Sequence, residues 1–281
     1  MNDILFNLPK CLTIRNKESH NEKTSTLTFS LPFEYSIRPG QYFMLWVPGV
    51  DEVPISVSGY HGTHISFTIC DVGSASRSLN NKGHTELIGL RGPFGNGFEV
   101  EYGKNALIVA GGMGIAPLRF LIQCLTSNIT SSQRIVLIQG AKTCNDLLFR
   151  SEFERLPIET NFCTEDGSYG FKGFASTKMD LLLGDLIQSD FNLEIFACGP
   201  EIFLKKVLYV AQKNKIEKNT QICLADRHIR CGFGICGSCF LDDIGLSLCR
   251  DGPVFRGSVL LEVTDFGQYG RKSNGLKYQF H

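Results

Sequence analysis

The run Cys231-Gly-Phe-Gly-Ile-Cys236-Gly-Ser-Cys239, answered by Cys249, constrains this chain more than any other stretch. Its spacing is C-x4-C-x2-C-x9-C. Three thiols wrapped into one tight loop, with a fourth returning from nearby, make a pocket for a small soft-ligand metal centre. C-x4-C-x2-C followed by a more distant Cys is the plant-type ligand pattern of a [2Fe–2S] cluster. Glycines at Gly232, Gly234 and Gly237 suit such a loop, which needs positive-φ positions and inward-pointing N–H groups around inorganic sulfide. The alternatives are a structural zinc site, which usually arrives as two separated C-x2-C knuckles, and ordinary buried cysteines. Ligand softness and spacing favour the cluster.

A length of 281 residues suggests two or three modules, and 43% hydrophobic residues suffice for sizeable cores. Lys+Arg and Asp+Glu both number 28, so nothing in the charge balance points to nucleic acid or a membrane surface as a partner. The opening MNDILFNLPK has no basic n-region or long apolar run, and no window approaches the roughly 18 apolar residues of a membrane span. With 11 cysteines, the expected compartment is a reducing cytoplasm. Cys11, Cys70, Cys124, Cys144, Cys163, Cys198 and Cys223 lie outside the motif and read mostly as small core residues, with Cys198 the exception.

From Leu12 to about Val100, short alternating runs are broken by turn residues: Thr26–Leu31, Tyr42–Val47, Pro54–Ser58, His64–Cys70 and Glu86–Leu90. That spacing predicts a small antiparallel barrel. Within it, Val53-Pro54-Ile55-Ser56 is a strand with a proline at its mouth. Val72-Gly73-Ser74-Ala75-Ser76 can open a helix whose free N–H groups suit a phosphate, or simply cap it. Gly92 to Phe98 reads as a turn-dense connector closing the barrel.

Asn105–Ala110 is an apolar run expected of a parallel strand buried on both faces, and it leads into Gly111-Gly112-Met113-Gly114-Ile115-Ala116-Pro117 and a helix over Leu118–Leu125. Strand, glycine turn and helix let backbone approach a pyrophosphate, although the run is not G-x-G-x-x-G. Strands at Arg134–Gln139, Asn161–Thr164 and Glu194–Ala197 alternate with helices around Asp146–Arg155, Lys178–Ile187 and Glu201–Lys213, giving a doubly wound α/β sheet. Glu165-Asp166-Gly167-Ser168 and Cys198-Gly199-Pro200 follow strand ends, where such sheets bind ligands. Asp166 there would favour a ribose 2′-hydroxyl, hence NAD over NADP; Asp-Gly-Ser is equally a common turn.

Taken in order, V-P-I-S, G-x-A-S, G-P-F-G-N-G-F, G-G-M-G-I-A-P-L, E-D-G-S-Y-G, C-G-P, the cysteine loop and Cys249-Arg-Asp-Gly-Pro-Val-Phe255 resemble one family over about Leu12 to Phe255. It is the electron-transfer subunit of the NAD-dependent dihydroorotate dehydrogenase B complex, within the wider ferredoxin reductase-like flavoproteins. The resemblance implies an FAD-binding β-barrel over 1–100, an NAD-binding α/β domain over 101–220, and a [2Fe–2S] lobe and tail over 221–281. It assigns Pro54, Ile55 and Ser56 to the flavin ring, Gly73, Ala75 and Ser76 to the FAD diphosphate, and Thr68, Ile69 and Cys70 to the strand end along the FAD. Gly111, Gly112 and Gly114 face the pyridine nucleotide, joined by Asp166, Cys198, Gly199 and Pro200. Cys231, Cys236, Cys239 and Cys249 are the cluster ligands.

Two departures stand out. Val53 occupies a position where many members of the family carry Arg, and the nine-residue gap before Cys249 is short for the family. A flavin converts between hydride and single-electron carriers, so the implied role is a relay. In it, an FMN-containing partner subunit oxidises dihydroorotate, and electrons reach NAD through the cluster and FAD, in a heterotetramer of two copies of each chain. The chain shows no obvious base for dihydroorotate chemistry. The alternatives are a diaphorase-type subunit of a cytoplasmic hydrogenase or sulfide/sulfite reductase, and a zinc-stabilised nucleotide sensor. The tail after Arg256 starts with a strand-like Ser258–Val263 and ends in a polar segment expected to fray or to grip the partner.

Overall fold

The computed structural model describes residues 8–189, 192–271 and 276–279. Seven strands build the first sheet: β1 (Lys10–Thr13), β2 (Asn16–Asn21), β3 (Thr24–Ser30), β4 (Tyr42–Val47), β5 (Asp51–His61), β6 (His64–Cys70) and β7 (Leu87–Phe94), with helix α1 (Ser74–Asn81) between the last two. The order is β1-β7-β4-β5-β6-β3-β2, antiparallel throughout. β1 and β2 are consecutive in the chain yet lie at opposite ends of that order. Two residues separate them, so the sheet must curl until its edges approach within ~11 Å.

Strand β4 shows why its sequence, YFMLWV, is apolar almost throughout. Side chains alternate faces along a strand. Phe43, Leu45 and Val47 fill the barrel interior with Leu27, Phe29, Val57, Ile65 and Phe67. Tyr42 and Met44 point the other way, into a second core shared with Cys239, Leu248 and Cys249 of the cysteine-rich segment.

The second sheet runs β11-β10-β9-β8-β12-β13-β14. Its strands are β8 (Ala106–Gly111), β9 (Ile135–Ala141), β10 (Glu159–Thr164), β11 (Phe171–Lys172), β12 (Glu194–Cys198), β13 (Thr220–Cys223) and β14 (Val254–Arg256). All pairs are parallel except β13 with β14. Helices α2 (Ile115–Ser127), α3 (Arg150–Phe153), α4 (Ala175–Ser189) and α5 (Glu201–Lys213) connect them. Leu107 and Val109 pack on the α4/α5 side, and Ile108 and Ala110 on the α2 side, so both faces are covered and the central strands read as unbroken apolar runs. The chain first winds from β8 outward through β9 and β10, then returns to place β12 on the other flank of β8. That reversal opens a crevice between the carboxyl ends of β8 and β12.

Several expectations change here. The α/β sheet continues past residue 220, because β13 runs to Cys223 and β14 pairs back onto it. The segment between Cys223 and Val254 is therefore an excursion between two neighbouring strands. Ser258–Val263, expected as a strand, instead lies in α6 (Gly257–Leu260) and the turn after it. Gly257 allows the close approach: a Cβ there would lie 2.7 Å from the Glu217 carbonyl and 2.8 Å from Leu208. The helix expected over Asp146–Arg155 shrinks to a single 3-10 turn at Cys144–Asp146 and the four-residue α3, with Phe149 at φ 59° breaking the two apart. The tail forms a hairpin, β15 (Tyr269–Arg271) against β16 (Lys277–Gln279), and Lys277 pairs with Asp242; residues 272–275 of the expected polar segment lie outside the described residues. No helix among the described residues is long and apolar enough to cross a membrane.

Candidate functional site

In the cysteine loop, Gly232, Gly234 and Gly237 take φ of 84°, 85° and 70°, the left-handed region where a side chain is strained. These turns aim N–H groups at sulfur. The Gly234 N–H donates to Cys249 Sγ at 3.1 Å. Burial pushes the Cys231 thiol up, but the N–H groups of Cys236, Phe233 and Ile235 outweigh it and hold the thiol below its ordinary value. The thiols fall into two pairs, Cys231 with Cys236 and Cys239 with Cys249; the side-chain bond from Cys249 draws the Cys239 thiol down to about 7. Among the described residues no three Cys, His, Asp or Glu side chains converge as ligands of one ion. Two thiol pairs under N–H donors fit a centre with two irons, each taking one pair, better than a zinc tetrahedron.

Two barrel side chains hold this loop. Tyr42, 2% exposed, reaches the carbonyl oxygens of Gly232 (3.3 Å) and Cys249 (3.2 Å). Burial and then the neighbouring thiols of Cys249, Cys239 and Cys231 keep its phenol protonated. Arg91, 7% exposed, donates to the Cys231 carbonyl at 3.1 Å and makes a bidentate pair with Glu52 at 3.0 and 2.6 Å. Its guanidinium lies over the rings of Phe94 and Phe233. Asn96 adds a bond from its amide to the Asp251 carbonyl.

On the barrel, Pro54, Ile55 and Ser56 lie half-buried on β5, opposite Met44, Phe43 and Tyr42 of β4. Ile69 points into the barrel core, and the Thr68 hydroxyl is bonded to Thr26 (2.9 Å) and Ser58 (2.8 Å), so of this strand end only Cys70 lines open space. That space is a cleft of about 1300 Å³ between the β2–β3 hairpin and residues 143–156, with His20, Thr24 and Phe149 on its walls. At α1, the Ser76 hydroxyl accepts from the N–H groups of Val72 and Gly73, each at 3.0 Å, and a Cβ added to Gly73 would meet nothing within 4 Å. Ala75 and Ser76 are themselves buried. An open glycine before a helix N-terminus is a cradle that fits a diphosphate.

At the α/β crevice, Gly114 packs so tightly that a Cβ would lie 2.1 Å from the Cys198 carbonyl oxygen. Gly112, at φ 51°, faces open space, and Gly111 and Gly199 both abut the Phe203 ring. A cavity of about 270 Å³ opens here, lined by Gly111, Gly112, Gly140, Lys142, Glu165, Phe174, Pro200, Phe203 and Lys206 among others. Asp166 is not among its lining residues. Its carboxylate accepts from the Ser168 N–H (2.9 Å) and hydroxyl (2.7 Å), bonds that hold it below the usual carboxylate range, so it closes its own turn. Glu165 lines the cavity in its place. The Cys198 thiol also turns away, into the interior against Cys223. Sequence reasoning missed Tyr42, Arg91 and Glu52; only Gly140 among the other missed residues carried a signal, a glycine inside a strand, where a Cβ would sit 2.9 Å from Ala175.

Family models match at both sites: an iron–sulfur cluster binding domain of dihydroorotate dehydrogenase B over 226–261, and an oxidoreductase NAD-binding domain over 108–208. A probable dihydroorotate dehydrogenase B (NAD(+)), electron transfer subunit, from Methanocaldococcus jannaschii is 38% identical over 273 residues, covering 97% of this chain and 100% of the relative. The protein of the same description from Methanothermobacter thermautotrophicus is 35% identical over 97% of this chain and 98% of its own length. The chain belongs to the electron-transfer subunits of dihydroorotate dehydrogenase B. This electron-transfer subunit is an oxidoreductase component whose matching domains are those of iron–sulfur cluster binding and NAD binding. Among solved structures, that of the NADH-dependent reduced ferredoxin-NADP oxidoreductase superposes with a TM-score of 0.74 at 25% identity, covering 91% of this chain and 93% of that one. A ferredoxin NADP+ reductase from Neisseria gonorrhoeae shares the fold of the electron-transfer subunit, with a TM-score of 0.62 at 16% identity over 73% of this chain and 91% of its own.

Proposed function

We propose that this chain carries electrons from a dihydroorotate-oxidising partner subunit to NAD+ in pyrimidine biosynthesis, in the cytoplasm. The partner holds FMN and the carbon chemistry, and the working particle contains two copies of each chain. The observation that carries this reading is the adjacency of three sites on one scaffold. Strand β5 with Pro54–Ser56 pairs to β4, and β4 in turn packs against the cysteine loop, while the nucleotide crevice opens on the α/β sheet beside the barrel. When bound, FAD exchanges single electrons with the cluster and a hydride with the nicotinamide.

Each segment has its own task. Cys231, Cys236, Cys239 and Cys249 would hold the cluster, and backbone N–H groups of the loop would stabilise the negative charge it gains on reduction. Pro54, Ile55 and Ser56 present a half-buried strand surface to the flavin, and Gly73 with the first turn of α1 receives its diphosphate. Gly111 and Gly112 line the cavity where the nucleotide would approach the sheet, Gly114 lets the turn pack on the end of β12, and Pro200 shapes the opposite wall. Glu165, Lys142 and Lys206 line the cavity together; there Glu165 would accept from a ribose hydroxyl, in keeping with NAD, and the two lysines would meet the nucleotide phosphates.

The test is anaerobic reconstitution of the full chain with FAD, iron and sulfide, alone and with a dihydroorotate-oxidising FMN subunit. The reading requires NADH oxidation by artificial acceptors in either case and dihydroorotate-dependent NAD+ reduction only with the partner. Dihydroorotate turnover by the chain alone would refute the division of labour. A second reading keeps the relay and changes the donor to a diaphorase-type assembly; the 91% coverage by the NADH-dependent reduced ferredoxin-NADP oxidoreductase structure supports it. Anaerobic co-purification from the native host separates the two.

A further inference from the structure

Tyr42 sits between the two redox sites and serves neither the barrel core nor solvent. Its backbone is the register partner of Ser56 on the strand proposed to carry the flavin. Its side chain leaves the opposite, outer face of β4 and joins the core around the cysteine loop, where Phe94 packs against its ring at 5.9 Å. The single phenolic hydrogen is shared between two carbonyls, those of Gly232 and Cys249, which belong to the two ends of the loop. Gly232 directly follows the first cysteine of the motif, and Cys249 is its last. One hydroxyl therefore ties both ends of the loop to one strand.

We infer that Tyr42 is a positioning residue for electron transfer, fixing the cluster loop against the flavin strand through its hydroxyl. The inference rests on the proposed cofactor sites. Arg91 provides a second anchor through the Cys231 carbonyl, but its own position depends on Glu52 and on ring stacking. Tyr42 is held by the barrel sheet itself and needs no such support. Between the β4 backbone opposite Ser56 and Cys249 there is one side chain and one hydrogen bond. The Met44 side chain, two residues on, supports the same contact: a Cβ at Gly232 would come within 3.3 Å of it.

Removing the hydroxyl while keeping the ring isolates this role. In reconstituted Tyr42→Phe, rapid mixing with NADH resolves two phases, flavin reduction and then cluster reduction. The first keeps its wild-type rate and the second slows. The loop also opens more often, so an iron chelator bleaches the cluster about 5-fold faster, the factor expected for one lost hydrogen bond. Tyr42→His, which restores a ring donor, recovers part of the second phase. Wild-type kinetics in both phases would overturn the inference while leaving the cofactor sites standing. Faster bleaching with an unchanged second phase would also overturn it, because the hydroxyl would then contribute stability alone. A wild-type chain whose NADH-reduced flavin never reduces the cluster would instead overturn the relay beneath it.

Discussion

Two glycines two residues apart in the nucleotide turn should fail for different reasons. A Cβ at Gly114 would stand 2.1 Å from the Cys198 carbonyl oxygen, 2.3 Å from its carbon and 2.5 Å from the Gly199 nitrogen. All three are backbone atoms of the β12 end, so no rotamer change relieves the clash, and the helix and strand must separate. Overpacking of this kind costs about 3 kcal/mol, the upper end for an added methyl. For a chain of this size that lowers the melting temperature by about 6–12 °C. A Cβ at Gly112 meets no atom within 4 Å but must be carried at φ 51°. Its cost is about 1 kcal/mol of backbone strain, and the methyl projects where the nucleotide approaches. Gly112→Ala should therefore melt within about 4 °C of wild type and show a raised KM for NADH with ferricyanide as acceptor. Gly114→Ala should lose stability first. If Gly112→Ala binds NADH as wild type does, the assignment of this turn to the nucleotide fails; if Gly114→Ala melts unchanged, the close packing of the turn on β12 is not what requires glycine there.

Replacing any of Cys231, Cys236, Cys239 or Cys249 by Ser should remove or shift the cluster absorbance while FAD stays bound and NADH–ferricyanide activity persists; simultaneous loss of flavin would show that the loop supports the barrel. Arg227 lies between the buried carboxylates of Glu201 (2.7 Å) and Asp265 (3.2 Å), so Arg227→Met strands both charges and should cost about 3–5 kcal/mol in a denaturant titration. His20 has its pKa lowered first by burial, and then by Arg119, against the pull of Glu18 and Glu152. The folded chain resists its protonation, so stability present above about pH 6.5 is lost as the pH falls below it, and His20→Gln should flatten the melting temperature between pH 7 and 5.5.

Regular elements were legible wherever periodicity was sustained. Tyr42–Val47, His64–Cys70 and Glu201–Lys213 have the same limits in sequence and structure: the second and third present a repeating face to a core, and the first is an apolar run buried on both faces. Short runs were not. Ser258–Val263 is apolar enough for a strand, yet Gly257 packs against the Glu217 carbonyl and the chain turns into a helix instead. β13 and β14 have four and three residues, too few to mark them as sheet rather than cluster lobe. At the sites, the cysteine spacing announced its chemistry because all four ligands lie within one stretch. Tyr42 and Arg91 gave no such signal: their partners are 190, 207 and 140 residues away, and each reads alone as an ordinary strand residue. Asp166 and Glu165 are adjacent acids, and only the geometry of the turn shows which one is used up by Ser168.

Cys223 and Val254 are register partners at the end of the α/β sheet, and the whole cysteine-rich segment hangs between them. Its two ends are thus clamped side by side whether or not metal is present. Closing a free loop of this length would cost about 3 kcal/mol in chain entropy, and here the sheet has already met that cost. With the hinge set by the Cys223–Val254 pairing, cofactor assembly should ask mainly for ordering within the segment. The segment should then act as a cassette, loaded and reloaded while the Cys223–Val254 clamp stays closed.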